Sequence, residues 1–213
     1  MPQRRTSIVG ITGPVAAGKS ALSRRLAALG ALVIDVDGLG HRALATAEVA
    51  DAVGREFGPA SRSADGTLDR AALAHLVFGD DAARRRLESI VHPVVRGWID
   101  DAIAGARRAA APLVVVDCAL LFESGLDALC DETVAVDAPH ELRLRRAREA
   151  HGWDEAAVRR REAAQLPAEQ KRARAGRVVT NDGDAQRLDL EARALYEELA
   201  AGPGVAATRR TSP

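Results

Sequence analysis

Five short apolar runs punctuate the chain, and each stops at a glycine, an acid or an asparagine. They are 7–12 (SIVGIT) before Gly13, 31–34 (ALVI) before Asp35, 113–116 (LVVV) before Asp117, 133–136 (TVAV) before Asp137, and 177–180 (RVVT) before Asn181. Their length and β-branched content predict buried strands. Between the first two, residues 19–29 carry Leu22, Leu26 and Leu29 at helical spacing, and Gly30 supplies a stop. Strand, glycine loop, helix, strand is a βαβ unit, which implies a parallel sheet with a right-handed crossover. From about 41 to 110 the texture changes. Amphipathic runs at 48–57, 70–78 and 81–90, then a segment after His92-Pro93, predict a helical insertion that ends at Pro112. Residues 140–175 read as helical and arginine-dense, broken at Gly152 and Pro167, and a last helix runs to about Ala200. The small, polar tail from Gly202 onward is expected to fray.

Composition narrows the class. The chain has 213 residues, 47% hydrophobic and 28% charged, enough to bury one core with a modest insertion. No stretch nears the roughly 20 apolar residues of a membrane span. The start, MPQRRTSIVG, enters the first strand without the apolar region of a secretory signal, and Cys118 and Cys130 have neither metal-ligand nor disulfide-framework spacing. Both features predict a cytoplasmic protein. Thirty basic and thirty acidic residues cancel, which disfavours a nucleic-acid partner. Of the 30 lysines and arginines, only Lys19 and Lys171 are lysines. A biased genome explains the excess of arginine, and the two lysines are worth inspecting because arginine replaces lysine poorly where a compact point charge is required.

One of the two sits in the strongest motif. Gly13-Pro-Val-Ala-Ala-Gly18-Lys19-Ser20 is an intact G-x-x-x-x-G-K-[ST] loop between a predicted strand and a predicted helix. Gly13 and Gly18 allow backbone angles that turn amides inward around an anion, and the helix adds its positive end. Lys19 reaches the β and γ phosphates, and the Ser20 hydroxyl suits Mg²⁺. No N-K-x-D base-recognition string of a GTPase is present, since Asn181-Asp-Gly-Asp lacks the lysine. A compact chain with a helical insertion and an arginine-rich helical segment suits a small-molecule or nucleotide kinase, in which one insert holds the acceptor and another closes over ATP.

Asp35 and Asp37 stand at the carboxyl end of the second strand, where ligands bind in open α/β sheets. Strand alternation would put them on one side and Val36 on the other. One could take a proton from an attacking hydroxyl and the other could hold Mg²⁺ through water; alternatively both are solvated turn residues.

With these strings in order, the chain resembles the dephospho-CoA kinase family. The similarity runs through the loop at 13–20, ALGALVIDVDGLGHR at 28–42, DGTLDRAALAHLVF at 65–78, Val91-His92-Pro93, ALLFESGL at 119–126, RLRR at 143–146, Gln165-Leu166, Lys171-Arg172 and VVTND at 178–182. The resemblance implies a P-loop fold with a five-stranded parallel sheet: a core from 1–40, 111–140 and 176–202, a helical CoA domain at 41–110, and a lid at 141–175. It implies transfer of the ATP γ-phosphoryl group to the ribose 3′-hydroxyl of dephospho-CoA, with Mg²⁺, by a monomer or small homo-oligomer. ATP would be bound by Gly13, Ala16, Ala17, Gly18, Lys19, Ser20, Ala21 and Arg146, with Lys19 and Arg146 also catalytic. Asp37 would be the base. The acceptor would lie against Asp37, His92 and Glu123; His92-Pro93 could instead start a helix, and Glu123 could hold a basic partner. Mg²⁺ would sit at Ser20, with Asp35 and Asp117 as further candidates. Lys171 matches a family position or serves the surface.

Departures from the family pattern bear on efficiency rather than identity. Ala21 stands for a threonine, Ala119 for the proline before LLFE (a looser loop is expected), Ala150-His151 for an arginine and a polar residue, and Gly176 for an aspartate; 43–48 lacks a Pro-Gly turn. Two other readings stay open: a small P-loop kinase acting on a nucleotide or sugar acid, and a nucleotide-binding protein whose catalysis is impaired.

Overall fold

In the computed structural model, which describes residues 5–201, the five apolar runs form one parallel sheet. β1 (Ser7–Thr12), β2 (Leu32–Asp35), β3 (Leu113–Asp117), β4 (Glu132–Asp137) and β5 (Arg177–Thr180) lie in the order β2-β3-β1-β4-β5. β1 is buried at every position and pairs with β3 on one side and β4 on the other. All carboxyl ends therefore share one edge. The chain leaves β1 for one flank and returns to the other, so β1 is the switch point where an open α/β sheet forms its ligand crevice.

α1 (Lys19–Ala28) and α9 (Ala185–Ala200) cover one face. Leu22 and Leu26 from α1 and Leu188, Ala192 and Leu195 from α9 pack on Val9, Ile11, Leu113, Val115, Val134 and Val136. These strand positions alternate, as a half-covered strand face requires. On the opposite parity, Gly10 leaves room for a close neighbour: a Cβ there would meet Leu121 Cδ2 at 2.6 Å and Cys130 Sγ at 2.9 Å.

The described chain divides into two compact units, one formed by residues up to Asp35 together with those from Ile103 on, the other Val36–Ala102. The second unit is helical: α2 (Val36–Ala43), α3 (Ala47–Phe57), α4 (Arg70–Val77) and α5 (Asp81–Arg108), whose end lies past the division. Thr46 caps α3 through Val49 N, and Asp69 caps α4 through Ala71 N and Ala72 N, so polar residues just before the apolar runs set these starts. The first unit adds α6 (His140–His151), α7 (Glu155–Glu162) and α8 (Ala168–Arg174), separated near Gly152 and Pro167.

Two expectations are corrected. The backbone turns helical at Val36, so strand alternation does not relate Asp35 to Asp37: Asp35 ends β2 and Asp37 lies in the first turn of α2. Pro93 neither breaks nor starts a helix but lies inside the 28-residue α5. Pro93 itself is exposed, and burial of Val91, Val95 and Ile99 on one stripe carries the helix past it. The tail from Gly202 lies outside the described residues. Among the described residues no helix is long and apolar enough to cross a membrane.

Candidate active site

The phosphate loop leaves the carboxyl end of β1 and enters α1. Gly13 has φ 152° and Gly18 φ 101°, and neither tolerates a side chain. A Cβ at Gly13 would lie 2.2 Å from the Val136 carbonyl oxygen, and one at Gly18 would lie 1.9 Å from Asn181 Nδ2. Ala16 shares the left-handed region at φ 58°, a conformation costing a non-glycine residue about 1 kcal/mol or more. Gly18 caps α1 with no side-chain hydrogen bond, and no acid occupies the first turn. The helix start is thus left for an external anion, with Lys19 beside it and the Ser20 side chain exposed.

The loop is braced from behind. Asn181, buried at the exit of β5, donates from Nδ2 to the Ala17 carbonyl at 2.9 Å. Arg146 on α6 donates to the Ala17 carbonyl (3.3 Å), the Asn181 carbonyl (3.2 Å) and Asn181 Oδ1 (3.0 Å). Burial pushes the Arg146 guanidinium down from its ordinary value, with neighbouring Arg145 adding to the shift and Asp182 opposing it. The tip is held as well. Val15 packs with Ala147 and Val158, flanked by Leu144 and Trp153, and buried Arg143 donates to the Val15 carbonyl at 3.2 Å while pairing with Glu162. The tip of the loop is therefore part of a small core shared with α6 and α7. Between α6 and α7, the Trp153 ring stacks on His151 at 4.3 Å, and the Arg161 guanidinium lies 3.6 Å from its centroid.

The metal candidates separate by burial. Asp117 is buried at the end of β3 and accepts from Ser23 Oγ at 2.8 Å. Ser23 follows Ser20 by three residues, hence on the same side of α1. Asp35 is exposed and registers beside Asp117 across β2 and β3. A serine hydroxyl with carboxylates at adjoining strand ends is an oxygen-only donor set, which fits Mg²⁺ retaining several waters.

Glu123, proposed for the acceptor, accepts from Leu166 N at 2.7 Å and pairs with Lys171 at 3.2 Å; the structure thus gives it the basic partner. Lys171 is not a surface residue but fully buried. Its Nζ donates to the Ala119 carbonyl (2.5 Å) and to Gln165 Oε1 (3.0 Å). Burial lowers its pKa from the ordinary lysine value, Glu123 opposes that shift, and Lys19 adds to it. The Ala119 carbonyl also accepts from Thr12 Oγ1 at 3.2 Å, so the loop that lacks its proline is pinned through its backbone. In the second unit, Asp37 is exposed in α2 and His92 is exposed in α5.

Sequence reasoning did not single out Asn181, Arg143 or Val15 as site residues. The signal for Asn181 was its place at a strand exit on the ligand edge; Val15 and Arg143 gave none, because their roles arise only when α6 meets the loop.

The Dephospho-CoA kinase family profile matches residues 7–187. A Dephospho-CoA kinase of Anaeromyxobacter dehalogenans is 41% identical over 202 residues, covering 92% of this chain and 94% of that one. One from Symbiobacterium thermophilum is 39% identical over 198 residues, covering 92% and 83%. A Thermus thermophilus crystal structure superposes with TM-score 0.81 at 38% identity, covering 92% of this chain and 98% of that one. A shikimate kinase from Acinetobacter baumannii shares the fold alone, with TM-score 0.52 at 17% identity over 98% of this chain and 97% of that one. A five-stranded parallel sheet with a phosphate loop at its switch point, matched over most of its length, places this chain in the dephospho-CoA kinase family.

Proposed function

We propose that this chain transfers the γ-phosphoryl group of ATP to the ribose 3′-hydroxyl of dephospho-CoA, giving coenzyme A and ADP. The observation that carries the reading is the phosphate loop, with an uncapped helix start next to Lys19 and two glycines at positions where no side chain fits. The amides and Lys19 orient the triphosphate and neutralise its charge. Mg²⁺, held at Ser20 with Asp117 or Asp35 through water, would supply further charge neutralisation on the β and γ oxygens. The 3′-oxygen bonds to the γ-phosphorus as the bond from that phosphorus to the β-bridging oxygen breaks, and ADP departs with the electron pair. The hydroxyl proton passes to the Asp37 carboxylate, assigned as base, and then to water. In a loose transition state that transfer comes late, so positioning and charge dominate.

Arg146 and Asn181 hold the loop in shape, and residues 141–175 act as the lid. His92 is assigned to the acceptor side with Asp37, and Glu123 acts through Lys171 and Leu166. The protein is assigned to the cytoplasm, as a monomer or small homo-oligomer, without nucleic-acid or membrane partners.

The test is ADP formation from Mg-ATP with and without dephospho-CoA, with mass and linkage analysis of the product. A dephospho-CoA-dependent rate and a product heavier by one phosphate at the 3′ position are expected. Equal ADP formation with and without acceptor would overturn the reading.

A further inference from the structure

We propose that Lys171 is a positioning residue for phosphoryl transfer: its buried ammonium joins the returning end of the 140–175 segment to the loop after β3 and, through the Ala119 carbonyl, holds the root of the phosphate loop. The inference rests on the kinase reading above.

A lysine ammonium has three donors and no acceptor. Lys171 has three oxygens within reach: Ala119 O at 2.5 Å, Gln165 Oε1 at 3.0 Å and Glu123 Oε1 at 3.2 Å. One of them is an anion, as a buried cation requires. Each oxygen belongs to a segment near the carboxyl edge of the sheet. Ala119 and Glu123 lie in the loop after β3, and Gln165 precedes α8, which carries Lys171 itself. Glu123 also takes the Leu166 amide, so the two segments are joined twice over.

The third contact reaches the catalytic loop. Ala119 O accepts from Thr12 Oγ1 as well as from Lys171, and Thr12 is the residue before Gly13. Lys171 is thus two hydrogen bonds from the loop that cradles phosphate, yet its side chain is 0% exposed. It cannot touch ATP or acceptor; it acts through what it holds.

The composition supports the same point. Every member of the lysine and arginine set except Lys19 and Lys171 is arginine. A planar five-donor fork does not match three oxygens converging on one nitrogen, so arginine should not replace the ammonium here.

The experiment uses the full chain with Lys171→Met, Lys171→Arg and the double variant Lys171→Met/Glu123→Gln. The double variant removes both charges while leaving an oxygen for the Leu166 amide, so it keeps the question open to test if Lys171→Met fails to fold. Thermal unfolding is recorded, and kcat and KM for Mg-ATP are measured per folded enzyme below every variant's transition. Wild-type turnover is established first, because its absence would sink the kinase reading and not this one. A misplacement near 1 Å costs about 10²-fold in transfer. The folded variants, Lys171→Arg included, should therefore lose about ten- to a hundred-fold in kcat with KM for ATP within about threefold. An unchanged kcat in folded Lys171→Met or in the double variant, whatever the fall in Tm, would reduce Lys171 to a stability element and overturn the proposal. Full kcat in Lys171→Arg would equally overturn the requirement for a compact ammonium.

Discussion

Replacing Asn181 by leucine, which branches at the same carbon, tests whether the brace behind the phosphate loop governs nucleotide binding. Two side-chain hydrogen bonds vanish: Nδ2 to the Ala17 carbonyl, and Arg146 Nη2 to Oδ1. The first is neutral, worth about 1 kcal/mol, and the second is charge-assisted, worth about 1.5–3 kcal/mol. The new methyl groups, at about 0.8 kcal/mol each, return part of this. Arg146 also keeps its bonds to the backbone carbonyls of Ala17 and Asn181. The net loss should be about 1–3 kcal/mol in urea unfolding, with an unchanged denaturant slope. If about 1 kcal/mol of it is a loop that bound ATP must re-form, Kd for ATP rises about fivefold. Because both side chains act on one carbonyl, Asn181→Leu and Arg146→Ala should not be additive; a coupling of at least about 1 kcal/mol is expected in the double-mutant cycle. Stability within about 0.5 kcal/mol of wild type with unaltered Kd, or strictly additive variants, would refute the brace.

Lys19→Ala removes the charge at the β and γ phosphates, and kcat in the coupled ADP assay should fall about 10²–10³-fold; a smaller loss would mean that other groups carry the charge. Asp37→Asn should lower kcat by about 10²-fold while calorimetric ATP affinity stays within about twofold, and full activity would remove Asp37 as base. Burial, reinforced by Asp127 and Asp131, pushes the Cys130 thiol up to about 12 from its ordinary value of 9.0. Above pH 9 the unfolded thiol sheds its proton while the folded one keeps it, so the thiol's contribution should fall with rising pH by about 1.4 kcal/mol per unit up to pH 12. Unfolding of wild type and Cys130→Ala across that range should show a steadily changing difference, and a constant one would contradict the shift.

How much of this was legible depends on sequence distance. The five strands and the phosphate loop were readable because their signals are local: an apolar run, two glycines and a lysine at fixed spacing. The α2 helix was not. Its two glycines, Gly38 and Gly40, argue against a helix, and Asp35 and Asp37 look like successive exits of a strand. Pro93 misled for the same reason, since α5 persists through the tertiary burial of its apolar stripe. Lys171 sits in AEQKRAR, which reads as a solvated face, and the oxygens that bury it come largely from about 50 residues earlier. The brace on Ala17 needs Asn181 and Arg146 together, two residues far from the loop in sequence. At Gly176, where the resemblance places an aspartate, a Cβ would lie 1.9 Å from Glu132 Oε1, so a side chain there requires the flexible Glu132 carboxylate to move aside.

The strand order has a consequence for how the protein is made. Of the five strands, β1 is made first and lies most central in the sheet, yet Ser7 pairs with Leu113, and Val9 with Glu132. At about 5–20 residues per second, the first partner follows by roughly 5–20 s. During that interval SIVGIT has no neighbour on either side, and its unpaired, apolar backbone is open to association. The helical unit at 36–102, built from local contacts, can form in the meantime. Sheet assembly should then start only after β3 emerges, and interruptions of translation before residue 113 should yield chains that chaperones retain.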